Sequence, residues 1–168
     1  MTFRSVFTII LLSMALVTFT SCSKSAKKSE GEEALSSSDM SEGDLQLNAD
    51  SDSGKAGGLQ TVYFDYNSSK LTDTTIATLK DNAAFLSKNT IDIQIEGHCD
   101  ERGGVQYNLA LGEKRAEAVK KYLIGQGIAA ARISTVTFGK ERPLAFGHDE
   151  DSWSKNRRGN FVITATNK

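Results

Sequence analysis

The chain has 168 residues, with 20 basic and 21 acidic side chains and a formal charge of −1. That length fits one domain of ordinary size plus extensions. The balanced charge excludes the basic face or stripe expected of a nucleic-acid-binding protein, and composition shifts along the chain into three regions.

Residues 1–21 read as an export signal. Arg4 gives a positive start, Val6 to Val17 is apolar apart from Thr8 and Ser13, and the small pair Thr20-Ser21 precedes Cys22. The apolar run is shorter than the about 20 residues needed to cross a bilayer. The small pair directly before Cys22 resembles the bacterial lipobox, in which the cysteine is lipidated and becomes the new N-terminus. Phe19 stands where that pattern usually has Leu. Ser23, rather than Asp, follows the cysteine, which in the lipoprotein pattern implies the outer membrane.

Residues 22–58 comprise Cys22 and a stretch rich in Ser, Gly, Asp, Glu and Lys with no hydrophobic period. Such a segment buries too little apolar surface to offset its ordering entropy and is expected to be a flexible tether. A free chain of this size has a typical end-to-end distance of roughly 33 Å and a full reach of about 120 Å. Leu45 and Leu47 stand out as a candidate partner-binding pair in an otherwise solvated linker. With Cys22 assigned to lipidation, Cys99 has no disulfide partner and is expected to be buried and inert.

The folded domain is expected over residues 59–168. Thr61 to Tyr66 alternates and is rich in β-formers, which predicts a strand. Thr72-Asp73 opens a helix, because a threonine hydroxyl caps and an acid suits the first turn. Ile76, Leu79, Ala83 and Leu86 continue it to Asn89. Ile91 to His98 is the clearest strand, with Ile91, Ile93, Ile95 and Gly97 on one face and Asp92, Gln94, Glu96 and His98 on the other. Gly103-Gly104 turns the chain. Leu109, Gly112, Ala116, Val119 and Leu123 form the core stripe of a second helix, ended by Gly125 and Gly127. Ile133 to Phe138 is a third strand. A long loop, Gly139 to Arg158, holds the only proline, Pro143, and the only tryptophan, Trp153. Phe161 to Thr166 is the last strand. Strand–helix–strand crossovers are right-handed, so both helices lie on one face. The fold class is an α/β two-layer sandwich with a mixed four-stranded sheet.

The chemistry concentrates between Ile95 and Arg115. His98, Cys99 and Asp100 are potential metal ligands, but neighbours in a strand point to opposite faces and no Cys-x-x-Cys spacing is present. A zinc site needs three or four ligands, so no metal is expected. No nucleophile-elbow motif supports a hydrolase, so the chain reads as a non-enzyme with no cofactor. His98 reads as a strand-end imidazole bonded to the turn. Asp100 lies just past a strand end, and Arg115 lies on the following helix at the edge of its buried stripe. A guanidinium there suits a carboxylate and Asp100 an ammonium, each charge-assisted bond contributing roughly 1.5–3 kcal/mol. An internal Asp100–Arg115 salt bridge shaping the turn fits the same residues equally well.

Gly97-His98-Cys99-Asp100-Glu101-Arg102-Gly103, Tyr107-Asn108, Leu111-Gly112 and Arg115-Ala116 closely resemble the outer-membrane-protein-A-like C-terminal domain family. The likeness runs on through Tyr122-Leu123, Gly139-Lys140-Glu141, Pro143, Gly147-His148-Asp149-Glu150 and Ser154-Lys155-Asn156-Arg157-Arg158, covering residues 60–166. The resemblance implies non-covalent binding of peptidoglycan through the meso-diaminopimelate of the stem peptide. It implies Asp100 and Arg115 as the ligand residues, with Arg102, Leu111, Tyr66 and Asn67 as further pocket residues. Asn67 stands where relatives often have Asp, and Cys99 where they have Thr or Ala. Arg157 and Arg158 are expected to be mainly structural. The lipid-anchored members of the family further imply the Tol system, especially the propeller protein TolB, as partner and a role in envelope integrity and cell division. The alternative is a Tol-system protein-interaction module whose wall binding is vestigial.

Overall fold

The computed structural model describes residues 45–166. The signal segment, Cys22 and the first part of the predicted tether lie outside the described residues. The elements run β1 (Val62–Tyr63), α1 (Asp73–Lys88), β2 (Ile91–His98), α2 (Val105–Gly125), a 3-10 turn (Ala130–Arg132), β3 (Ile133–Gly139), α3 (Glu150–Asn156) and β4 (Arg158–Thr166). The sheet order is β1-β4-β2-β3. β4 is antiparallel to both neighbours, whereas β2 and β3 pair in parallel. The mixed four-stranded sheet and the two long helices on one face agree with the predicted architecture.

Each long helix is fixed by a local signal and one buried face. Thr72 caps α1, its Oγ1 accepting from the Thr75 N–H at 3.2 Å, a contact that stabilises by about 1 kcal/mol. Leu79, Ala83 and Leu86 then enter the core with Ile91, Ile93 and Ile95 of β2 and Phe161 and Ile163 of β4. At the far end of α1, the Arg132 guanidinium donates to the carbonyls of Leu86, Asn89 and Ile91, satisfying acceptors that a helix end leaves open.

One close approach sets the position of α2. A Cβ on Gly97 of β2 would lie 1.9 Å from the Gly112 carbonyl oxygen, and one on Gly112 would lie 2.4 Å from Thr137 Oγ1. Only glycines let this helix and strand meet so closely. The contact brings the next turn of α2, with Arg115, against the end of β2.

Four boundaries differ from expectation, the simplest being the last strand, which begins at Arg158 rather than Phe161. The first strand is shorter than Thr61–Tyr66: Phe64 still donates its N–H to the Arg157 carbonyl at 2.9 Å, but the chain then turns, and Asn67 adopts φ 51°. The long loop contains α3, capped by Asp149, whose side chain accepts from Ser152 N–H, with acids in its first turn and Lys155 in its last. Residues 45–58, read as tether, are packed on the domain. The Asn48 and Ser51 N–H groups donate to the Ile163 and Phe161 carbonyls, each at 2.9 Å, and Ile163 N–H donates to Ala49 O at 3.0 Å. Ala49 and Ala56 are buried and Leu45 packs against the core, while Leu47 is exposed. Backbone pairing beyond the end of β1, plus small buried side chains, holds this strap without a hydrophobic period.

Candidate functional site

At the C-terminal end of β2 the sheet meets the loop after β1 and the start of α2. A cavity of about 210 Å³ opens there, lined by Tyr66, Asn67, Cys99, Asp100, Arg102, Gly103, Tyr107, Asn108, Leu111 and Arg115. All six pocket residues expected from the sequence are therefore gathered in one place. Cys22, the expected lipidation site, is not among the described residues.

Arg115 is not at the edge of the α2 stripe but inside it. It is fully buried, alongside Asn108, Gly112, Ala116, Val119 and Leu123. Its Nε donates to Ser68 O at 2.8 Å, Nη1 to His98 O at 2.7 Å and Nη2 to Asp65 O at 3.0 Å. These three carbonyls come from the loop after β1 and the end of β2, so the guanidinium ties both to α2. Burial pushes its pKa below the ordinary arginine value, only partly offset by the nearby Cys99 and Asp100, yet an arginine stays charged in a protein. The bonded groups are neutral carbonyl dipoles, and a guanidinium has five N–H donors, so donor capacity remains for a carboxylate.

Asp100 is held differently. Its carboxylate takes Arg102 as a fork, Nε to Oδ1 at 3.2 Å and Nη2 to Oδ2 at 2.6 Å, and Arg157 Nη1 approaches Oδ2 at 3.4 Å. These are the ion pairs Asp100 makes, rather than a bridge to Arg115. Burial opposes ionisation of Asp100, but the Arg102 and Arg157 bonds outweigh it and hold the carboxyl below the ordinary range. Arg102 is itself clamped between two aromatic faces, 4.0 Å above the Tyr66 ring and 4.0 Å above the Trp153 ring. Trp153 Nε1 in turn donates to Glu101, which also bonds His148. Tyr107 donates its hydroxyl hydrogen to Asn67 Oδ1, closing the opposite rim.

Sequence reasoning underrated two residues. Arg157, expected to be structural, does bond Phe64 O at 3.0 Å and pairs with Glu150, but it also faces Asp100. Trp153 lay in a presumed loop, yet α3 aims it at Arg102. The acid-rich start of α3 was the available signal for both. Arg158 is structural as expected, buried against Asp52 at 2.7 Å. His98 bonds Glu96 at 3.3 Å rather than the turn, and stacks on Phe138. Cys99 is buried, and burial pushes its thiol pKa up, the opposite of what a reactive cysteine needs. Among the described residues no group of His, Cys, Asp and Glu could hold a metal ion.

Residues 63–157 match the OmpA family, and the chain belongs to that family. Among its relatives, a peptidoglycan-associated lipoprotein of Pseudomonas aeruginosa is 46% identical over 108 residues, covering 64% of this chain and 64% of that protein. The match thus spans under two thirds of that relative's length. The protein of the same name from Buchnera aphidicola is 35% identical over 168 residues, covering 95% of this chain and 97% of its own. The crystal structure of the peptidoglycan-associated lipoprotein from Burkholderia pseudomallei superposes with a TM-score of 0.60 at 46% identity, over 62% of this chain and 89% of that one. The periplasmic domain of Helicobacter pylori MotB shares the fold at 20% identity, with a TM-score of 0.56 over 64% of this chain and 71% of its own. These lipoproteins carry the name of a peptidoglycan-associated protein and not of an enzyme, in keeping with the reading of this domain.

Proposed function

We propose that this domain binds peptidoglycan non-covalently, taking the free end of diaminopimelate in the cavity between Asp100 and Arg115. One observation carries the reading: a single small cavity presents a carboxylate on one wall and a buried cation, hydrogen-bonded to three neutral carbonyls, on another. A ligand with an ammonium and a carboxylate on one carbon matches both. Its carboxylate completes the donors of Arg115, and its ammonium shares Asp100 with Arg102. Leu111 supplies apolar wall, and Tyr66, Asn67 and Tyr107 close the rim. Lipidated at Cys22, the chain links the outer membrane to the wall and works with TolB and other Tol-system proteins in envelope integrity and division. The names of its relatives support peptidoglycan association, and the signal pattern before Cys22 supports the anchor.

Co-sedimentation with purified diaminopimelate-type sacculi tests the site. The chain is expected to pellet with sacculi, to be released by free meso-diaminopimelate, and to lose binding in Asp100→Ala. Undiminished binding by that variant would sink the assignment. Arg115→Lys is the better probe on the opposite wall, because it keeps the charge while removing the planar fork.

A further inference from the structure

A larger cavity, about 480 Å³, runs along β1 and the first turns of α1, with α3 at one end. Its lining is rich in hydroxyls, from Thr61, Thr72, Thr74, Thr75, Thr78 and Ser154. Charge plays a small part in it. Asp65 is offset by Lys155 within the same lining, and Arg157 is already engaged by Asp100 and Glu150. The hydroxyl hydrogens are committed internally. Thr75 Oγ1 donates to Tyr63 O at 2.7 Å, Thr61 Oγ1 to Asp52 at 2.8 Å, Thr78 Oγ1 to Thr74 O at 3.3 Å and Ser154 Oγ to Asp151 O at 3.1 Å. Thr72 also pairs with the Thr74 and Thr75 hydroxyls and accepts from Thr75 N–H, and Thr61 pairs with Ser51. A hydroxyl has one hydrogen and two lone pairs, so the acceptor capacity that remains is mainly on Thr74, Thr78 and Ser154. A matching ligand carries several neutral donors, as the hydroxyl and acetamido groups of an amino sugar do. An extended peptide added to the sheet edge fits less well, because Thr75 already occupies the Tyr63 carbonyl on β1.

The two cavities are continuous along the chain. Phe64 and Asp65 line this one, and Tyr66 and Asn67 line the other. Arg157 lines this one and reaches Asp100 at 3.4 Å in the other. Asp65 and Tyr66, which line different cavities, are consecutive residues, so their Cα atoms are about 3.8 Å apart. In peptidoglycan the diaminopimelate is joined to the muramic sugar through two residues of stem peptide. We infer that the threonine-lined cavity is a second subsite, taking the amino-sugar portion of the polymer whose diaminopimelate occupies the Asp100–Arg115 pocket. This rests on the reading of that pocket as the wall-binding site.

Isothermal titration of the full chain in detergent micelles separates the two subsites. The probes are the stem tripeptide ending in diaminopimelate, the same tripeptide on its disaccharide, and the disaccharide alone. The disaccharide tripeptide is expected to bind about tenfold tighter than the bare tripeptide, the gain of one or two net hydrogen bonds. Thr74→Trp and Thr78→Trp, which fill the groove, should each abolish that gain and leave tripeptide affinity unchanged. Equal affinity for the two forms in the unsubstituted chain overturns the inference. So does a gain that survives both substitutions, or a longer sugar-free peptide that binds as tightly as the disaccharide form. A chain that binds the disaccharide but no tripeptide, and loses the former in Thr74→Trp, would remove the diaminopimelate reading and retain the sugar subsite.

Discussion

The two walls of the small pocket carry opposite charges and are built by opposite means. Arg115 is locked into the core by backbone carbonyls from two other segments, so its position is part of the fold. Asp100 sits on a turn, where the Arg102 backbone N–H donates to it at 3.1 Å, and its charge is held by two side chains: Arg102, clamped by Tyr66 and Trp153, and Arg157, pinned by Glu150. The cation is thus a fixed post, and the anion is positioned by a chain of contacts that extends to the surface. Loss of the first should be felt as lost stability, and loss of the second as lost binding.

Arg115→Ala is the strongest test of this contrast. It removes a fully buried guanidinium and its bonds to the Ser68, His98 and Asp65 carbonyls, and should lower unfolding free energy by about 4 kcal/mol, read from urea midpoints. A drop under about 1 kcal/mol would show that the post is not structural. Gly112→Ala should cost about 3 kcal/mol, because the new Cβ meets Thr137 and the Gly97 backbone. Its effect on sacculus binding should follow from unfolding alone. Asp100→Asn should instead weaken sacculus binding by about tenfold or more, the loss of a charge-assisted bond, while the fold persists at neutral pH. Its pH dependence has a definite sign. The folded carboxyl is held below its ordinary value of 3.8, so its stabilisation is fully present above that value and is lost as pH falls through the lower folded value. The stability gap between the unsubstituted chain and Asp100→Asn should therefore close on acidification. A gap that widens in acid would reverse the assignment. Trp153→Ala, which unclamps Arg102 on one side, should weaken binding by only about threefold to fivefold, the scale of one exposed cation–π contact. His148→Ala, at the solvent-exposed end of the chain of contacts, should leave the thermal midpoint unchanged.

How much of this was legible in the sequence depended on what held each piece. α1 and β2 were readable because their burial is periodic and Thr72 caps in the usual way. α3 was not, although Asp149 followed by Glu150 and Asp151 is the same kind of signal; seven residues are too few to show a hydrophobic period. The strap at 45–58 escaped because it docks through backbone bonds and small residues such as Ala49 and Ala56. The membership of the pocket was carried by the family resemblance. Arg102 lies two residues from Asp100, but the other partners of the pocket's charges were not legible, because they lie far away in sequence: Asp65 and Ser68 for Arg115, and Arg157 for Asp100. Whether a guanidinium beside Ala116 turns outward or inward is decided by those carbonyls, which helical spacing cannot reveal.

The strap has a mechanical consequence. With the chain anchored through Cys22, as proposed, and the pocket gripping the wall, any tension between the two reaches the sheet through this strap. The first contacts to bear it are the Asn48–Ile163, Ala49–Ile163 and Ser51–Phe161 backbone bonds, backed by the Asp52–Arg158 ion pair. These can open in sequence and pay out slack while β2 and α2, which carry Asp100 and Arg115, stay packed through Gly97 and Gly112. The strap would then act as a sacrificial extension, absorbing a tug on the envelope before the grip on the wall is disturbed.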